Sequence, residues 1–158
     1  MRVRPLQRGD AEAVASWAYQ GPWSVYDPRP GDTPISGPAG YDAVVDADGS
    51  LVGFVCVGQE ARVPGLAEDG EVLDIGVGMR PDLVGQGRGR AFGTVLLEHL
   101  HQVYGDRPLR AVVQSWNERS LRLARGLGFC EAGTHQCVQD GREVSYTVLV
   151  RPPAPRRG

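Results

Sequence analysis

Residues Val77–Gly93 read VGMRPDLVGQGRGRAFG. The run leaves an apolar, strand-like stretch, passes Pro81, and meets glycines at 85, 87 and 89 before apolar residues resume at helical spacing. Glycine opens backbone conformations closed to other residues and lets a ligand come close to the main chain. A helix start presents unpaired N–H groups and the positive end of its dipole. The passage therefore predicts a strand, a glycine loop and a helix, with an anion such as phosphate held at the helix start. A purely structural tight turn is the competing reading. There is no G-x-x-x-x-G-K-[ST], and Gly87, Gly89 and Gly93 form G-x-G-x-x-x-G rather than the dinucleotide pattern.

Working outward, the strand spans Glu71–Met79 and the helix Gly87–Tyr104, with Phe92, Val95, Leu96, Leu100 and Val103 as its apolar stripe. Leu109–Trp116 forms the next strand. Strand, helix and strand in that order demand a parallel pair joined by a right-handed crossover. Asn117 caps a helix reaching about Leu127, which Gly128 ends. Phe129–Val138 and Glu143–Arg151 make a hairpin about Asp140-Gly141, and Tyr41–Gly58 makes another about Asp48-Gly49. Met1–Leu6 is a short first strand, and Gly9-Asp10 caps a helix containing Ala13, Val14 and Trp17. Tyr19–Gly40, rich in glycine, proline and aromatics, is a structured loop. The class is mixed α/β. Residues 1–151 are expected as one domain, with a disordered Pro/Arg tail over 152–158.

A chain of 158 residues can bury roughly 68–70 % of its surface, enough for a substantial core. The longest apolar run, Leu51–Gly58, is too short to cross a bilayer, and the first ten residues lack the apolar centre of a secretion signal. Cys56, Cys130 and Cys137 give an odd count without C-x-x-C, so free thiols in a reducing cytoplasm are expected. Net charge is −2, but residues 1–74 hold 12 acids against 5 bases, whereas residues 75–158 hold 7 against 12. All 17 bases are arginine, a side chain suited to phosphate. The overall balance points away from a general nucleic-acid binder.

Two segments together resemble a known family. Ile75–Leu100, IGVGMRPDLVGQGRGRAFGTVLLEHL, and Val112–Phe129, VVQSWNERSLRLARGLGF, are similar to the GNAT superfamily of acyl-CoA-dependent N-acetyltransferases. The family's loop, Q/R-x-x-G-x-G/A, falls on Val84-Gly85-Gln86-Gly87-Arg88-Gly89, with Val84 departing from Gln or Arg at its first position. The resemblance implies a central mixed sheet of six to seven strands with a splayed parallel pair, flanked by helices. It also implies acetyl-CoA as the donor, with no metal. Pyrophosphate would lie on the amides of Gly85–Gly89, flanked by Arg88 and Arg90. Pantetheine would pair with the strand edge at Val77, Gly78 and Met79, and Asn117 would face its arm.

For the chemistry, Asp74 sits in an apolar strand between Leu73 and Ile75, and a carboxylate there is a candidate base or amine anchor. A structural hydrogen-bond partner is the alternative. Glu71, three residues earlier, would face the other side of the sheet and is the second candidate. Trp23, Tyr26 and Asp27 would make an aromatic cleft with one charge, suited to a cationic acceptor. A loop pinned by its aromatics is the plainer account. His99, His101 and His135 do not make a metal site. Many GNAT enzymes carry a tyrosine acid where this chain has Ala124; Ser120, one helical turn earlier on roughly the same face, a water or a tyrosine from elsewhere would assist instead. The expected activity is direct transfer of acetyl to a cationic primary amine in a ternary complex. The rival is a non-catalytic acyl-CoA-binding module. No nucleic acid or membrane partner is expected, and a homodimer is left open.

Overall fold

A computed structural model describes residues 1–28 and 40–155. The expected loop over Tyr19–Gly40 therefore lies outside the described residues at 29–39, and the tail at 156–158. The strands form one mixed sheet of seven in the order β1-β2-β3-β4-β5-β7-β6. The chain divides into two compact units: residues 1–56 with 77–96, and residues 57–76 with 97–158.

In the first unit, β1 (Arg2–Pro5) and β2 (Tyr41–Val45) run antiparallel, as do β2 and β3 (Leu51–Val57). The turn between β2 and β3 is the expected one. Gly49 adopts φ +86°, and the Ser50 amide donates to Asp48 Oδ1 at 2.9 Å. Ala43, Val44, Val45 and Val52 are wholly buried, so these strands are covered on both faces.

Helix α1 spans Arg8–Ala15, and the sequence expectation is corrected at both ends. Asp10 does not cap the helix from outside. It lies in the first turn, where its Oδ2 accepts the Gln7 amide at 2.7 Å and its two oxygens accept Arg4 at 2.6 and 3.0 Å. Trp17 falls beyond the helix and stacks on Phe54, ring centroids 6.0 Å apart. Tyr41 leans on the same Phe54 ring at 5.9 Å.

Strand β4 spans Leu73–Met79 and α2 spans Gly89–Tyr104. Both start two residues later than the sequence suggested, because their approaches are turns. Along α2 the stripe Phe92, Leu96 and Leu100 is buried, but Val103 in the last turn is 56 % exposed.

In the second unit, β5 (Leu109–Gln114) pairs with β7 (Arg142–Arg151) over six rungs, and β7 pairs with β6 (Cys130–Gln139). The β6–β7 turn has φ 53° at Asp140 and +74° at Gly141, the sign pattern of a tight hairpin turn. Helix α3 (Glu118–Gly126) ends at Gly128, φ +92°. There the Phe129 amide bonds Ala124 O at 3.0 Å and the Gly128 amide bonds Arg125 O at 3.0 Å, the Schellman pattern. Pro152–Pro155 has no regular structure, and the Ala154 amide bonds Asp106 at 3.1 Å. All three cysteines are free thiols.

Candidate functional site

The glycine loop of the first unit is built as a switchback. Pro81–Leu83 makes one short helical turn after β4, and the Val84 amide closes it on Pro81 O at 3.2 Å. Gly85 and Gly87 then take φ +79° and +76°, the left-handed region that side chains resist. A Cβ placed on Gly87 would meet nothing within 4 Å. Glycine is needed there for backbone shape, and the space outside it is open. The first helical bond of α2 runs from Phe92 N to Arg88 O. The amides of Gly89, Arg90 and Ala91 therefore precede the helical ladder and have no acceptor within it.

Two side chains of this loop are engaged within the protein. Arg88, expected to meet phosphate, pairs with Asp46 Oδ1 at 2.7 Å. Gln86 folds back and donates to Asp82 O at 2.7 Å. Arg90 is exposed.

One side of the strand leading to the loop faces β3. The Arg80 amide donates to Val52 O at 2.8 Å, so position 80 turns its main chain toward β3. Main-chain direction alternates along a strand, so Val77 and Met79 turn theirs away from β3. Val77 is 55 % exposed. In the second unit the parallel β4–β5 ladder has two rungs, Leu73↔Leu109 and Asp74↔Arg110.

Gly78 has a packing reason that the sequence did not reveal. A Cβ there would run into the ring of Phe54, with its Cζ at 2.6 Å. Gly78 thus gives room to a side chain of the same unit.

Asp74 is 4 % exposed, and both its oxygens are gripped. Arg110 donates from Nε to Oδ1 at 2.6 Å and from Nη2 to Oδ2 at 3.0 Å, and Arg62 donates to Oδ2 at 3.2 Å. The bond to Asp74 raises the Arg110 pKa above its ordinary value. A carboxylate held by two guanidiniums is an ion-pair anchor, with each oxygen already accepting. Glu71 is exposed and precedes β4, where its amide bonds Asp69 Oδ1 at 2.9 Å. The two carboxylates therefore do not share a strand, because β4 starts only at Leu73.

Asn117 is buried and caps α3, its Oδ1 accepting the Ser120 amide at 3.2 Å. Ser120 and Ala124 are both half-buried on that helix.

Trp23 and Tyr26 lie in a short 3-10 helix, Gly21–Tyr26. Asp27 Oδ1 accepts the Tyr19 amide at 2.7 Å, so its charge is tied into the loop. The Tyr26 ring meets Tyr19 edge-on at 6.4 Å. The Tyr19 hydroxyl donates to Met79 O at 2.7 Å. Burial, with the Asp27 charge second, pushes the Tyr19 phenol up to about 12, so it remains a protonated donor. Tyr19, Phe54, Arg62 and Arg110 were not singled out from sequence. The aromatic richness of Trp17–Tyr26 was the only hint of Tyr19, and nothing local linked it to Met79.

A family model described as the acetyltransferase (GNAT) family matches residues 10–129. No curated protein matches the sequence. Among solved structures, the acetyltransferase (GNAT family) from Bacillus anthracis is 17 % identical, with 95 % of this chain and 94 % of that one covered at TM-score 0.69. A mutant form of the spermidine N-acetyltransferase SpeG from Vibrio cholerae is also 17 % identical, over 96 % and 95 %, at TM-score 0.68. At such identities the likeness is one of fold.

Proposed function

The chain belongs to the GNAT acetyltransferase family, and from that premise we propose that it moves an acetyl group from acetyl-CoA to a primary amine on a cationic small molecule. The observation that carries this is the loop at Gly85–Gly89. It joins two left-handed glycines, open space outside Gly87 and a helix start. These are the properties a pyrophosphate site requires. The donor-strand edge fits as well, since Val77 and Met79 turn main-chain groups away from β3, as pairing with an amide-bearing arm requires. We take residues 1–151 as one catalytic domain working in the cytoplasm.

In this reading Gly85–Gly89 hold the phosphates and Val77–Met79 align the arm. Arg88 acts at one remove, by fixing the loop against Asp46. Acetyl-CoA supplies the thioester. The amine nitrogen attacks its carbonyl carbon, the C–S bond breaks, the CoA thiolate leaves, and the amine proton passes to water. A thiol of pKa about 8.5 leaves tolerably without a strong acid. Ser120 stands as the nearest helical hydroxyl. Asp74 serves as an anchor rather than a base, and Glu71 is left as the surface carboxylate nearest in sequence. The cationic class of acceptor rests on the acid excess of residues 1–74 and on Trp23, Tyr26 and Asp27.

One observation favours a second reading. Ala124 offers no hydroxyl and Asp74 is closed by arginines, which suits a module that binds acyl-CoA without turning it over. The two readings part in one experiment. The protein is incubated with acetyl-CoA and a broad amine panel, and free thiol is measured. Amine-dependent thiol release supports the enzyme; tight CoA binding without release supports the module.

A further inference from the structure

The Tyr19 hydroxyl donates to a main-chain carbonyl at the end of β4, Met79 O, at 2.7 Å. Its acceptor, Met79 O, belongs to a residue whose main chain faces away from β3. On the proposed function this is the edge where the amides of a pantetheine arm pair. Tyr19 is also tied to the acceptor-side segment, through its amide to Asp27 and its ring against Tyr26. The donor edge and the candidate acceptor wall are therefore linked through one side chain.

We infer that Tyr19 is a positioning residue that latches the Met79 carbonyl and is displaced when an acyl-CoA pairs with the same strand edge. The inference rests on the acyl-CoA reading of the loop. The arm comes in along the edge that the phenol fills, so the two donors compete for one carbonyl. Breaking a hydrogen bond to an uncharged acceptor weakens donor binding modestly. When the latch opens, the Tyr19–Asp27 segment is freed from β4, so donor binding reshapes the acceptor wall.

The test compares wild type with Tyr19→Phe, which removes only the hydroxyl. Binding of CoA is measured by calorimetry, with melting curves to establish that the variant is folded. The expected result is CoA binding about two- to tenfold tighter in Tyr19→Phe, together with a lower melting temperature. A merely structural tyrosine would lower the melting temperature and leave CoA affinity unchanged, and that outcome overturns the latch, as does weaker binding. A second readout uses wild type carrying 3-fluorotyrosine, with the Tyr19 resonance assigned by its absence in Tyr19→Phe. Adding CoA should raise its broadening by a soluble paramagnetic agent; a resonance that stays equally protected overturns the latch. If wild type binds no CoA at all, the acyl-CoA reading falls and the latch with it. If wild type binds CoA but neither readout moves, the latch alone falls.

Discussion

Asp74 and Arg110 face each other across a rung of the short parallel ladder, and the guanidinium takes both carboxylate oxygens, at 2.6 and 3.0 Å. Arg62 adds a third contact at 3.2 Å from a loop twelve residues upstream. A strand carboxylate whose sequence context offers a base, an amine anchor or a structural partner is the counter-ion of two arginines. Removing one partner of a buried ion group leaves the others without compensation, at a cost of about 3–5 kcal/mol.

Asp74→Asn should therefore act on stability before chemistry. Denaturant unfolding should show a loss of a few kcal/mol. The pH profile of kcat/KM in the surviving folded protein should keep its lower limb. A variant of native stability that had lost that limb would restore Asp74 as the base.

Gly87 offers a cleaner probe of the loop. Its φ of +76° makes any side chain costly by roughly 1–2 kcal/mol, yet the space beyond it is open. Gly87→Val should fold, melt somewhat lower and bind CoA at least several-fold more weakly. Wild-type affinity in the folded variant would overturn the proposed role of this loop in holding phosphate.

Gly78 should respond in the opposite manner. Its added Cβ would strike the Phe54 ring, which Trp17 and Tyr41 hold from other sides. Gly78→Ala should cost roughly 1–3 kcal/mol by overpacking. Combining it with Phe54→Leu should recover part of that loss, and a double-mutant cycle measures the recovery.

Acid should loosen the N-terminal corner. The Arg4 hydrogen bonds, aided by the Gln7 amide, lower the Asp10 pKa below its ordinary 3.8. A carboxylate whose folded pKa is depressed stabilises the protein fully above its unfolded pKa and loses that contribution as pH falls through the folded value. The stability gap between wild type and Asp10→Asn should be constant near neutrality and shrink below pH 3.8. A gap that is unchanged down to pH 2 would remove Asp10 from the account.

The local chemistry of the chain determined much of this protein. The strand–loop–helix passage, both hairpin turns and the stop of α3 at Gly128 follow from residues within a few positions of one another. Glycine at φ +74° to +92° and the 3.6-residue apolar period act over that range, so sequence alone places them. The shape of the glycine loop was legible for the same reason. The tertiary structure decided the partners. Tyr19 reaches Met79 across 60 positions, Arg88 reaches Asp46 across 42, and Arg110 reaches Asp74 across 36. A charge or hydroxyl carries no signal of which distant group it will meet, because that depends on how strands are ordered and registered. Asp74 shows the consequence. Its burial was readable from its apolar neighbours, but whether a buried carboxylate is a base or an anchor depends on the two arginines that only folding brings to it.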